Sequence, residues 1–139
     1  MKLSLVLAAL LVNGPGVVNF PNADIAPVGD PAAHGYVAPA ISTNGLPGFC
    51  WELSLWTSTQ PLFVYLRRTG TGRVVTRIDV RDNHVPTQPW QGSGSYSGCA
   101  TIARADELAF LRRPSLYYLD VRTQTALHAA RARLHGPHL

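Results

Sequence analysis

Between Gly35 and Leu134, apolar residues recur at every second position in seven short stretches separated by turn clusters. A two-residue period places alternate side chains on opposite faces of an extended strand, whereas a helix needs a period near 3.6. No other property narrows the fold as much. The stretches are GYVAPAI (35–41), FCWELSLW (49–56), PLFVYLRR (61–68), RVVTRIDVR (73–81), SYSGCATI (95–102), SLYYLDVRT (115–123) and ARARL (130–134). In the second, Phe49, Trp51, Leu53 and Leu55 share one face, and Cys50, Glu52, Ser54 and Trp56 share the other. PLFVYLRR is apolar on both faces until its basic end, as expected of an interior strand. Pro39 lacks an N–H and places the first strand at an edge or bulge.

TGTG (69–72) predicts a hairpin turn, and Asp82–Gly98 reads as a long loop overlapped at its end by the fifth strand. The single helix-like segment is ARADELAFLRR (103–113), stopped by Pro114. The predicted fold is all-β: an antiparallel sandwich or barrel of about seven strands with one short helix. An antibody-type pattern does not fit. Trp51 adjoins Cys50 instead of following it by a dozen residues, and Tyr96 lies three before Cys99.

A chain of 139 residues suits one domain. Lys2 followed by the apolar run Leu3–Val12 reads as a signal segment, too short for a spanning helix, with a cut expected after Ala23. Residues 24–33 are then a poorly ordered lead-in, 34–134 the β-domain and 135–139 a tail. Secretion makes Cys50 and Cys99 a natural disulfide. Closing a loop of about fifty residues would contribute about 4 kcal/mol in the chain-entropy model.

At 46% hydrophobic and 14% charged, the chain folds by burying apolar surface. Its net charge of +4 rests on twelve basic residues, all arginine except Lys2, and they are spread along the sequence. No basic cluster with interleaved aromatics or reader motif appears, so nucleic acid is not an expected partner. The five histidines, His34, His84, His128, His135 and His138, show no ligand spacing. Asp79, Asp82 and His84 form the one grouping that an exported metal-binding protein or hydrolase would use. GSGSYSG (92–98) does not match a nucleophile elbow or a phosphate loop. The reading is therefore non-enzymatic, without cofactor or membrane span, monomeric, and directed at an extracellular protein or surface ligand. Trp90, in the long loop, is the tryptophan expected to be exposed for a ligand contact. ARARL is expected to close the sheet with Arg131 and Arg133 in water.

Several stretches in order resemble a known family. An aromatic follows the first cysteine in FCWELSL, and SGCATI precedes the short helix. RRPSLYYLDVRT then carries Pro114, Tyr117, Tyr118, Val121 and Thr123, and RARL (Arg131–Leu134) closes the set. This order is similar to the chordin-type CHRD domain in its short secreted bacterial form, across about Gly35–Leu134. The departures are a missing His-x-His in LFVYLRR, Arg122 in place of a motif histidine, and Ala132 in place of a glycine. The loop between Thr123 and Arg131 is also about a residue short. The resemblance implies a secreted immunoglobulin-like β-domain without known catalysis. It also implies structural roles for Trp51, Tyr117, Tyr118, Val121, Thr123, Arg131 and Leu134. For Arg131 the expected role is pairing with a carboxylate or strand-end carbonyls.

Overall fold

A computed structural model describes residues 16–43, 48–80 and 90–136. Its strands are β1 (Val17–Asn19), β2 (Ala23–Pro27), β3 (His34–Ser42), β4 (Gly48–Trp56), β5 (Pro61–Arg68), β6 (Val74–Asp79), β7 (Ser93–Thr101), β8 (Tyr117–Thr123) and β9 (Ala130–Arg133). Helix α1 (Arg104–Arg112) and a 3-10 turn (Pro114–Leu116) separate β7 from β8. The strands form one antiparallel sheet in the order β6-β5-β8-β9-β2-β3-β4-β7, with β1 pairing to β3 beyond β2. The edge strands β6 and β7 approach each other, so the sheet nearly closes into a barrel. The seven stretches read as strands are β3–β9, and the one helix read from sequence is α1.

Alternation decides which side of each strand faces the interior. Val37, Ile41, Phe49, Leu53, Leu55, Val64, Leu66, Leu119 and Val121 are all at most 2% exposed and fill the barrel. β9 follows the same rule: Ala130 and Ala132 are buried, and Arg131 and Arg133 are exposed. It does not close the sheet, however, but lies inside it, between β8 and β2. The TGTG turn forms as expected. Gly70 (φ 90°) and Gly72 (φ 71°) take the left-handed region, and the Arg68 N–H donates to the Arg73 carbonyl.

Two expectations about the N-terminal region are corrected. The segment read as signal end and lead-in forms β1 and β2, and β2 fills the place between β3 and β9. Val18, Phe20 and Ala23 are 4%, 8% and 1% exposed, so a cut after Ala23 would strip a strand and core side chains. Periodicity missed this because these strands are three and five residues long and carry Asn and Pro. Pro39 lies in an interior strand, not at an edge. The Phe20 N–H donates to the Pro39 carbonyl, so the missing N–H faces the interruption between β1 and β2. There residues 20–22 stand opposite 38–39, a one-residue bulge that needs no donor from Pro39.

Helix α1 closes the barrel end where β4 and β8 begin and β3, β7 and β9 finish. Asp106 and Glu107 in its first turn and Arg112 in its last complement the helix dipole. Its Phe110 packs edge-on against Phe20 at 4.9 Å between ring centroids, and against Phe49 and Tyr117 at 5.6 and 5.4 Å. Beside it, Asp106 Oδ1 accepts hydrogen bonds from Tyr117 Oη and Arg73 Nη2, both at 2.8 Å. Burial alone would raise the Asp106 pKa, but the bonds from Arg73 and Tyr117 outweigh it and hold the carboxyl below its usual value. Burial, then hydrogen bonding to Asp106, pushes the Tyr117 hydroxyl up.

A depressed carboxylate contributes stability above its unfolded pKa and loses it as pH falls through the folded pKa. Thermal melts should therefore show stability falling as pH drops below about 4. Asp106→Asn should flatten that fall while lowering stability at neutral pH. Equal acid slopes for the two proteins would refute the role assigned to this carboxylate.

At the opposite end, loops are joined by side chains. Asp30 accepts from the Ser58 N–H and hydroxyl, both at 2.7 Å, and from the Ala32 N–H at 3.0 Å. Burial opposes the charged form of Asp30, but the three hydrogen bonds lower its pKa on balance. Thr59 and Thr125 share a hydroxyl bond at 2.9 Å. Among the described residues, no helix is long and apolar enough to cross a membrane.

Candidate functional site: an arginine and aromatic face

In β5, Val64 and Leu66 point inward, so Phe63, Tyr65 and Arg67 point outward. The cross-strand register extends this outer face to Arg77 and Asp79 on β6, Tyr118, Asp120 and Arg122 on β8, and Arg131 and Arg133 on β9. Arg77, Tyr65, Asp120 and Arg131 form one straight row across the four strands. A second row runs Arg67, Tyr118, Arg133, and a third Asp79, Phe63, Arg122. The result is five arginines and three aromatics against two carboxylates on one surface.

The arginines are ordered by aromatic rings. The guanidinium of Arg77 lies over Phe63 at 4.5 Å, that of Arg67 over Tyr65 at 4.8 Å, and that of Arg131 over Tyr118 at 4.7 Å. A guanidinium held over a ring is restricted in position while its N–H groups can still bond elsewhere. Arg122 and Arg133 have no hydrogen bond, ion pair or ring contact among the described residues. Both are therefore available as donors.

Asp120 anchors the middle of the face. It is 1% exposed, and its Oδ2 accepts from Arg67 Nε at 2.9 Å and pairs with His128 Nδ1 at 2.8 Å. Its Oδ1 is buried and has no donor among the described residues. Arg67 also donates to the Gly72 carbonyl at 2.8 Å, tying the β5–β6 hairpin to the same carboxylate. A buried carboxylate needs such compensation to remain charged.

The other half of the outer surface differs in kind. Strands β2, β3, β4 and β7 contain no lysine or arginine, and their outer face carries Asp24, Glu52 and a run of serines. The disulfide Cys50–Cys99 lies here, directly across from one strand to the next. His34 stacks on Trp56 at 5.1 Å between centroids and 6° between planes.

The residues named from sequence fall into separate places. Tyr117, Val121, Thr123 and Leu134 are buried, and Trp51 packs partly buried against the core. Tyr118 and Arg131 belong to the outer face. The expected carboxylate or carbonyl partner of Arg131 is corrected: the carboxylate opposite it, Asp120, is held by Arg67 and His128, and Arg131 rests on Tyr118. Trp90 is half-buried and its indole N–H donates to the Thr57 carbonyl at 2.9 Å. Trp56, which sequence reasoning passed over, is the more exposed tryptophan at 39%. Asp82 and His84 lie outside the described residues. Asp79 ends β6, and no metal-holding group of His, Cys, Asp and Glu occurs among the described residues.

The basic cluster was invisible in sequence because its members come from four strands. The available signal was period two itself: outward positions of the strands ending in arginine share a face once those strands are neighbours.

Two substitutions separate ordered from free arginines. Arg131→Ala should cost about 0.5–1 kcal/mol through loss of the contact with Tyr118. That corresponds to a fall of about 2–5 °C in melting temperature. Arg133→Ala should leave the melting temperature unchanged. Equal effects for the two would contradict the contact as a stabilising one.

No family model, curated protein or solved structure matches this chain.

Proposed function

We propose that this chain is an exported, non-enzymatic β-domain, similar to the chordin-type CHRD domain, that binds an extracytoplasmic ligand through its arginine and aromatic face. The observation that carries the binding role is that five arginines converge on one half of the barrel, three of them held by rings and two unpartnered. A merely solvated face does not require guanidinium groups fixed in position.

Two further features support export. The disulfide is suited to an oxidising compartment. The apolar run Leu3–Val12 precedes β1, which sets the downstream limit for a cut, upstream of Val17.

Intact-mass analysis of protein collected outside its native host tests this reading. The expected mass lacks a leader ending before Val17 and is two protons below the reduced value. Full-length intracellular protein with two alkylatable thiols would overturn it.

A further inference from the structure

The chemistry of the arginine face narrows the ligand, on the premise that the face is the binding surface. We propose that it binds an acidic polysaccharide, a polyuronate whose carboxylates meet the guanidinium groups while its neutral hydroxyls span the gaps between them.

Charge comes first. Five arginines stand against two carboxylates, Asp79 and Asp120; Arg67 is paired with Asp120, and Arg77, Arg122, Arg131 and Arg133 complete the positive face. No lysine or arginine occurs on β2, β3, β4 or β7, so an anion is directed to one half of the barrel. A planar guanidinium donates in pairs to a carboxylate, which lysine cannot match geometrically.

Spacing comes second. Arg67 and Arg133 flank Tyr118 in register, so their backbones lie two strand intervals, about 10 Å, apart. Arg77 and Arg131 are three intervals, about 14 Å, apart. Donor groups spread this widely over the outer face suit an extended polymer with separated charges better than a compact anion.

The aromatic rings exclude the competing polymers. Bases of single-stranded nucleic acid need open ring faces to stack on, but the Phe63, Tyr65 and Tyr118 rings carry guanidinium groups. Protein partners are held chiefly by large side chains seated in desolvated pockets. These rings lie beneath cations and form part of the outer strand surface, so they offer no such anchor site.

The test uses the secreted protein and sodium polygalacturonate in titration calorimetry or biolayer interferometry at low salt. Binding should weaken at least tenfold in 0.5 M NaCl, the direction set by screening. It should also weaken at least tenfold with fully methyl-esterified polymer. Arg122→Gln/Arg133→Gln, two positions without internal contacts, should lose at least tenfold with an unchanged melting temperature. Arg112→Gln/Arg113→Gln, at the end of α1 and off this face, should bind as wild type. Equal losses in the two double variants, or undiminished binding of the methyl ester, would overturn the proposal. Tighter binding of a single-stranded oligonucleotide or of polyglutamate at the same salt would overturn the ligand class while leaving the face as a binding surface. Absence of binding to all three polyanions would overturn the face itself, independently of the intact-mass result on export.

Discussion

Phe110→Ala should lower the unfolding free energy by about 3–5 kcal/mol, near the upper end of large-to-small core changes. Phe110 has 0% exposure and touches three other aromatic rings, Phe20, Phe49 and Tyr117, from three separate parts of the chain. Helix α1 has nine residues, too few to persist by itself in water. Its other buried side chains are the carboxylates of Asp106 and Glu107, which need partners to be buried at all. Phe110 is thus the apolar attachment of the helix to the barrel, and its loss opens a cavity at the closed end. Phe110→Leu should cost less than half as much, because it restores most of the volume. Urea denaturation would show a lower midpoint with an unchanged slope if the fold persists. A loss under about 1 kcal/mol would mean that the helix is held by other contacts.

The second large effect belongs to the disulfide. Cys50 and Cys99 are 49 positions apart, and joining them removes about 4 kcal/mol of loop-closure entropy from the unfolded chain. The bridge lies between β4 and β7 on the outer surface, where a solvent reductant can reach it. Strand β7 is an edge, paired on one side only, so the bond fastens a strand that has a single neighbour in the sheet. Reduction, or Cys50→Ser/Cys99→Ser, should lower the melting temperature by roughly 10–20 °C. The far-UV signal should survive, because the nine-residue ladder from Gly48–Thr101 to Trp56–Ser93 remains. Hydrogen exchange should quicken first in β7. Identical midpoints for oxidised and reduced protein would remove the bridge from the account of stability.

Much of the fold was legible in single strands. FCWELSLW assigns Phe49, Leu53 and Leu55 inward and Cys50 outward, and the barrel keeps that division. ARARL does the same for Ala130, Ala132 and Leu134 against Arg131 and Arg133. The pairing of Cys50 with Cys99 needed only two cysteines and an oxidising compartment. The early strands were not legible, because β1 and β2 are too short to establish a period and their turn residues suggest a loop. Pro39 was read as marking an edge or a bulge, and the pairing decides for the bulge: residues 20–22 stand opposite 38–39 within an interior strand. Trp90 is less exposed than expected because its indole N–H found the Thr57 carbonyl, a partner 33 positions away.

The sequence by itself therefore determined the all-β class, the inward and outward sides of β4 and β9, the short helix and the cysteine bridge. Each is a local quantity, set by alternation or by the chemistry of one residue pair. The tertiary structure decided which strands are neighbours: β5 with β8, β9 with β2, and β4 with β7. Period two says that Arg67, Arg77, Arg122, Arg131 and Arg133 face water, but it is silent on which water-facing residues stand together. Long-range pairing depends on closure of the sheet around one core, and that closure gathers scattered arginines onto one face with Phe63, Tyr65 and Tyr118.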